Sequence, residues 1–574
     1  MTAPASHLAT DADARFARLA ADEWAWRLGQ FPQLATSIGD ASHDDRLERV
    51  DAASRAARLA RWRETREALA VIPVAGMSAA ARIDRAVFEN QLHGFIAAIE
   101  LHADRMPLNS DSSFYAPLVD LCDAQPLRDA ADYRRFLARL ADIPRFMDEH
   151  VALMREGLAT GFTVPQVVLE GRDQPLAAIA ALTDPAATPF WKPFAAFPAG
   201  VPAAERGDLE DAARRVIGEQ VLPAYRDLLA FLRDTYVPGA RQTTAACDLP
   251  DGDAFYAAQI RQYTTLALTA DEIHERGLQE VARILAEMES VKRQAAFDGD
   301  LPAFLEFLRT DAQFYARTPH ELLAHASWIA KRIDGLLPKY FGVLPRQPYG
   351  VAPVPEDIAP FYTTGRYVLA PQPVGFAGMY WVNTHALASR ALYTLPALTL
   401  HEAVPGHHLQ IALAAEMTGQ PPFRRHSFVD AFGEGWALYA EHLGDEMGVY
   451  LTPYEQFGRL TYEMWRAVRL VVDTGLHARR WSRDDARAYL LAHTALSAHE
   501  VATEVDRYIS WPGQALSYKI GEIRIRELRA RAEERLGPGF DLRAFHDVVL
   551  ALGSVPLGIL SEQVDAWIAS RLAS

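Results

Sequence analysis

Apolar residues recur at helical spacing along most of this 574-residue chain. Residues three and four positions apart share one face of an α-helix, so such stripes are typical of the sides that helices turn toward a core. Clear examples are Tyr133, Phe136, Leu137 and Leu140, then Met147, His150, Val151 and Met154, and then Leu278, Val281, Leu285 and Met288. The sequence therefore predicts a mainly α-helical fold.

The composition changes between residues 341 and 385. This segment is rich in proline, glycine and aromatic residues and contains short runs with β-propensity at 365–369 and 378–382. It predicts a small β-sheet beside the helix that follows. We expect a helical N-terminal lobe at 1–340 and a metal-binding catalytic lobe at 341–574, with the two lobes intertwined.

Charge and cysteine content exclude several functions. The net charge is −16 and no concentrated basic face is apparent, which argues against a nucleic-acid partner. Cys122 and Cys247 are the two cysteines, so neither a disulfide framework nor a cysteine-rich metal site is expected. No secretory signal or 18-residue apolar run is visible. These features predict a cytoplasmic protein without a membrane partner, and they leave its oligomeric state open.

Residues 399–410, TLHEAVPGHHLQ, contain a candidate metal-binding motif. A catalytic zinc ion takes three protein ligands and keeps one position open for water. Its common helical motif, HExxH, places two histidines four residues apart on one face. His401 and Glu402 fit the beginning of that motif, but Pro405 stands where the second histidine should be. The second ligand must therefore be His407 or His408.

The turn at Pro405 and Gly406 decides between these histidines. On a regular helix His408 would lie within about 20° of His401 but roughly 10 Å along the axis, and His407 would point about 120° away. Proline removes a helical N–H and glycine tolerates unusual dihedral angles, so we expect a bulge here. A bulge that absorbs two residues favours His407 as the ligand, with His408 as the second choice.

Two further carboxylate roles are predicted. Glu402 is the natural general base, because a carboxylate beside the ion can take a proton from zinc-activated water. The third ligand should be a carboxylate on another helix. Residues 433–441, GEGWALYAE, offer Glu434 and Glu441, which lie seven positions apart on one helical face.

The motifs also resemble known families. EGWALYAE is similar to the NEGFA segment of gluzincin aminopeptidases, and HEAVPGH is similar to the expanded zinc motif of dipeptidyl peptidase III. Together with RYISWPGQALSYKIG at 507–521, they resemble the bacterial family called domain of unknown function 885. That likeness runs from about Pro32 to the C-terminal helices. It implies a zinc-dependent, mainly helical, metallopeptidase-like fold with a deep substrate channel. It also implies that Glu434 is the third ligand, so that Glu441 or Asp430 would orient a ligand imidazole.

Substrate contacts are predicted in two other segments. Tyr518 is the candidate hydrogen-bond donor to an oxyanion. Lys519 would pair with a substrate carboxylate, and Arg507 or Arg524 would clamp a terminal carboxylate. Tyr380 and Trp381 are expected to line a pocket.

The sequence as a whole predicts a hydrolase that uses one Zn²⁺ ion, although His₂Glu sites accept other divalent metals. The expected activity is that of a metallopeptidase that cleaves short peptides or N-acyl amino acids. Two alternatives remain open: a metal-dependent hydrolase of a non-peptide amide, and a helical binding protein without catalytic activity.

Overall fold

The computed structural model describes residues 11–110, 112–356, 358–369 and 377–573. It confirms a mainly α-helical chain with one small sheet. The first ten residues, on which the prediction of no secretory signal partly rests, lie outside these ranges. Residues 370–376 of the proline-rich segment also lie outside them.

The first compact unit is Met1–Phe255. The stripes predicted in α6 and α7 are buried there, apart from the half-buried Val151. The helices of this part of the chain are α1 Asp11–Gln30, α2 Pro32–Ser37, α3 Ala52–Ala70, α4 Ala79–Glu100, α5 Leu121–Ala124, α6 Ala130–Ala141, α7 Ile143–Thr160, α8 Gln174–Ala180, α9 Ala203–Val216, α10 Leu222–Phe231, α11 Val237–Gly239 and α12 Gly252–Thr264, which runs across the unit boundary.

The second compact unit is Tyr256–Ser574, so the boundary differs from the expected one after residue 340. The reason is that α13 packs along α21 of the same unit. Its elements are α13 Ala270–Gln294, α14 Leu301–Thr310, α15 Pro319–Asp334, α16 Leu337–Tyr340, β1 Tyr349–Pro353, β2 Gly365–Val368, β3 Gly378–Val382, α17 Leu395–Glu402, α18 His407–Ala415, α19 Pro422–Arg425, α20 Asp430–Glu446, α21 Pro453–Arg479, α22 Arg483–His493, α23 Ala498–Ser510, α24 Ser517–Leu536, α25 Leu542–Leu550 and α26 Leu557–Leu572.

The core face of α13 differs from the predicted stripe. Leu278 is 38% exposed and Leu285 is half-buried, whereas Gly277 and Ile284 are buried. A Cβ atom on Gly277 would come within 2.8 Å of the Leu470 side chain, so α13 and α21 approach closely at this glycine. Val281 and Met288 of the predicted stripe are buried, so half of it was correct, and elsewhere the buried positions are Gly277 and Ile284, one residue away.

The sheet has the strand order β1-β3-β2, with β1 parallel and β2 antiparallel to β3. β2 and β3 match the two predicted β-prone runs. β3 packs on α17, where the Thr399 hydroxyl donates to the Tyr380 hydroxyl at 3.4 Å. β2 is an edge strand, so backbone groups on its outer side can bind other parts of the chain.

Helices α17, α20 and α21 form the core of this unit, because most of their residues are buried. α20 and α24 cross with their backbones almost in contact. A Cβ atom on Gly521 would lie 1.9 Å from the Ala431 carbonyl oxygen, and one on Gly435 would lie 2.5 Å from the Gly521 Cα. These glycines bring the start of α24 against the helix that carries Glu434.

Candidate metal centre

The predicted bulge is instead a complete break between two helices. α17 ends at Glu402 and α18 begins at His407. Ala403 and Gly406 between them have ψ angles of −109° and −129°, far from helical values. Pro405 supplies no N–H to continue the helix and follows a cis peptide bond.

The connecting turn folds back onto the end of α17. A Cβ atom on Gly406 would lie 1.9 Å from the His401 carbonyl oxygen, so only glycine fits this position. The Trp436 indole N–H donates to the Pro405 carbonyl at 2.7 Å and ties the turn to α20. As a result the imidazole rings of His401 and His407 lie 4.8 Å apart, centre to centre.

His401, His407 and Glu434 converge on one point. Glu434 Oε2 lies 3.6 Å from His401 Nε2 and 3.4 Å from His407 Nε2. Zinc bonds of about 2.0–2.2 Å at tetrahedral angles separate two ligand atoms by about 3.3–3.6 Å. Across the described ranges, these three residues form the one group of histidine, cysteine or acidic side chains close enough to share an ion. The geometry fits the predicted ligand set.

The polar atoms of the group also fit a bound cation. Glu434 Oε2 is buried and has no hydrogen-bond partner among the described residues. Burial raises the pKa of Glu434, but the neighbouring His407 and His401 more than offset it, so the pKa lies well below its ordinary value. An ionised, buried oxygen that faces two imidazole nitrogens is what a divalent ion requires as a ligand.

Glu441 orients the first imidazole. Its Oε1 lies 2.7 Å from His401 Nδ1, and its side chain is 1% exposed. In a metal-bound His401, a proton on Nδ1 would donate to Glu441 and the Nε2 lone pair would face the ion, as is usual for metal-bound histidine. The other predicted orienting residue, Asp430, lies beside Gln514 instead. Burial and the charge of Glu434 raise the pKa of Asp430 to about 6.

Replacing Glu441 by glutamine should weaken zinc binding by about 10- to 100-fold, because the orienting carboxylate loses its charge. Competition with a chromogenic chelator measures this affinity. The matched control is Glu446→Gln on the same helix, because Glu446 forms an ion pair with Arg529. Wild-type zinc affinity in Glu441→Gln would show that this carboxylate does not support a metal ligand.

His408 lies outside the group. Its Nδ1 is 3.1 Å from the Tyr367 hydroxyl, and its ring packs against Tyr349 and Tyr367. Burial lowers its pKa to about 4, so the ring is neutral at physiological pH. The helix break directs the two adjacent histidines to different neighbours.

Glu402 is held by the edge of the sheet. The backbone N–H of Tyr367 in β2 donates to Glu402 Oε2 at 2.7 Å. The carboxylate is therefore fixed at the end of α17, one residue from His401. Its other oxygen is available to a water molecule or a substrate.

The structure corrects two of the predicted substrate contacts. Lys519 is fully buried, and its Nζ lies 2.8 Å from Glu463, 2.9 Å from Glu522 and 3.2 Å from Glu280. These three carboxylates surround its ammonium group and neutralise its charge, so it is not placed to bind a substrate. Tyr380 is also fully buried and does not line an open pocket.

Trp381, Arg524, Arg507 and Tyr518 have different surroundings. Strand alternation places Trp381 on the opposite face of β3 from Tyr380, where it is half-buried against Tyr362. Arg524 lies 3.6 Å from Glu527 on its own helix. Tyr518 and Arg507, by contrast, lie in a group of arginines next to Glu441.

Sequence reasoning missed two members of that group, Arg466 and Arg469 on α21. Arg466 Nη2 lies 3.8 Å from Glu441 Oε1. The Arg469 guanidinium lies 4.4 Å from the centre of the Tyr518 ring. The available signal was the spacing of Tyr462, Arg466, Arg469 and Asp473, which form a polar stripe on a largely buried helix.

Solved structures share this fold. One is described as "the putative lipoprotein from Colwellia psychrerythraea" and matches with a TM-score of 0.88 and 26% sequence identity, over 97% of this chain and 99% of that one. Another, described as "a putative lipoprotein of unknown function from Shewanella oneidensis", has a TM-score of 0.75 and 19% identity, over 96% and 99%. The second likeness shows the fold alone.

No curated protein matches the chain. Within the described ranges, no helix has both the length and the apolar character needed to cross a membrane. The family described as "Bacterial protein of unknown function (DUF885)" matches residues 32–564, which is nearly the whole chain. The chain belongs to this family.

Proposed function

We propose that this protein is a zinc-dependent hydrolase, and specifically a metallopeptidase that cleaves short peptides or N-acyl amino acids. The observation that carries the proposal is the convergence of His401, His407 and Glu434 at the separations of a tetrahedral site. A carboxylate that supports one ligand and a second carboxylate next to the ion complete the arrangement expected of a catalytic centre.

Each side chain has a defined role in this proposal. His401, His407 and Glu434 would hold the ion, and zinc bound there would polarise a carbonyl and lower the pKa of water. Glu402, fixed by the Tyr367 N–H, would accept a proton from the attacking water and return it to the leaving nitrogen. The Tyr518 hydroxyl would donate to the developing oxyanion. The deep channel implied by the family resemblance would admit the substrate.

Metal content and hydrolysis test the proposal together. We expect one zinc per chain, loss of hydrolysis after chelation and recovery when zinc is added back. The substrate panel is a set of short peptides and N-acyl amino acids, with released amines as the readout. His407→Ala should lose zinc, whereas the control His408→Ala alters the adjacent histidine and should retain it. Wild-type zinc binding by His407→Ala would contradict the ligand set.

The cellular location belongs to the same proposal. The sequence favours the cytoplasm, whereas the two solved structures are described as lipoproteins. The cytoplasmic location therefore stays a prediction.

A further inference from the structure

Three arginines surround Tyr518 next to the candidate metal centre, on the side where Glu441 lies. Arg466 and Arg469 come from α21, and Arg507 comes from α23. The guanidinium groups of Arg469 and Arg466 lie 4.4 Å and 5.9 Å from the Tyr518 ring centre. Arg507 also interacts with the Tyr518 side chain. We call these three residues the arginine cluster.

The arginine cluster carries more positive charge than its neighbours neutralise. Glu504 forms ion pairs with two of the three arginines, at 3.0 Å from Arg469 Nη2 and 3.6 Å from Arg507 Nε. The Arg466 guanidinium group lies 3.8 Å from the Glu441 carboxylate, which is also hydrogen-bonded to His401. Asp473 also acts on Arg507, but burial raises its pKa to about 7, so the three guanidinium groups are neutralised only in part.

The cluster also has donors without acceptors. Within the part of the chain that the structure describes, no hydrogen-bond partner exists for Arg466 Nε, Arg469 Nη1, or Arg507 Nε and Nη2. Arg466 and Arg469 are only 6% and 3% exposed. Buried charged donors without partners are costly, so a site of this kind normally has an anion to bind.

We propose that the arginine cluster binds a free carboxylate of the substrate. This inference rests on the proposed hydrolase function and narrows it to substrates that end in a carboxylate near the cleaved bond, as in carboxypeptidase action. A carboxylate carries negative charge that the cluster lacks, and its two oxygens match the planar fork of a guanidinium group. The cluster adjoins the metal ligands through the contacts from Arg466 to Glu441 and from Glu441 to His401.

Pairs of compounds that differ only in a terminal carboxylate or amide test the proposed carboxylate site. The probes are N-acetyl amino acids with the twenty side chains and the corresponding N-acetyl amino acid amides, which differ in the terminal charge. Binding to the zinc-loaded protein is measured by ligand-observed NMR and calorimetry. The best acid should bind about 10- to 100-fold more tightly than its amide, as expected for one charge-assisted pair.

Arg469→Lys and Arg507→Lys should each remove most of this preference, because lysine keeps the charge but loses the planar fork. The matched control is Arg479→Lys at the end of α21, where the arginine bonds to Asp271. It should retain the full preference. Thermal unfolding shows which variants are folded. If one of the two cluster variants does not fold, the other still tests the proposal.

Equal affinity for acids and amides in the wild type would overturn the inference. So would an acid preference that persists in both cluster variants, since the metal would then be the group that binds the carboxylate. Zinc content and hydrolysis are recorded on the same samples. Equal affinity for acids and amides in the wild type, with zinc content and hydrolysis intact, rejects only the carboxylate site, whereas absence of zinc binding rejects the hydrolase proposal.

Discussion

Replacing Glu402 by glutamine is expected to lower kcat by about 10²- to 10⁴-fold, the usual contribution of a general acid–base group. Glutamine has nearly the same shape, and its carbonyl oxygen can still accept the N–H of Tyr367 at the edge of β2. It cannot take a proton from water. The substitution therefore removes the proposed chemical step and leaves the three ligands in place.

The measurement combines kcat on a cleaved substrate with zinc content and thermal unfolding temperature. The zinc content and the unfolding temperature of the variant should match those of the wild type. The control is Glu416→Gln, because Glu416 follows α18 and forms an ion pair with Arg346 on the surface. A Glu402→Gln variant that turns over at the wild-type rate would eliminate Glu402 as the base. Loss of zinc from the variant would instead indicate that Glu402 takes part in metal binding.

Local patterns predicted much of the fold. The stripe containing Phe136 and the β-prone run 378–382 were assigned correctly, because periodicity and β-propensity depend on neighbouring residues alone. The core face of α13 was only partly predicted, because Gly277, which has no side chain to mark it, makes a close contact with α21. A contact made by a glycine backbone leaves no apolar signal in the sequence.

The candidate site also combines features that the sequence predicted with features that it did not. The pairing of His401 with Glu434 and a bulge at Pro405 and Gly406 were predicted, but the bond from Trp436 that ties this turn to α20 was not. Lys519 illustrates a further difficulty. Its sequence neighbours suggested a substrate contact, whereas Glu463, from a distant part of the chain, neutralises it. Which charges are already paired is a property of tertiary packing.

Gly406→Ala is expected to damage the site, because the added methyl group would clash with backbone atoms of α17. The new Cβ atom would lie 1.9 Å from the His401 carbonyl oxygen and 2.4 Å from that of Leu400. Neither contact involves a flexible side chain, so the turn itself must move. We expect a loss of about 2–4 kcal/mol in the free energy of unfolding, in the upper part of the range for point substitutions.

The displacement should also separate the two metal-binding histidines, because Gly406 directly precedes His407 and its added methyl group would press on the carbonyl of His401. Zinc affinity should fall by at least about tenfold, since ligands must keep their distances within about 0.2 Å. Denaturant unfolding and chelator competition measure the two effects. The control is Gly419→Ala, where a Cβ atom meets nothing within 4 Å. If Gly406→Ala bound zinc as tightly as this control, the tight turn would not be what brings His407 beside His401.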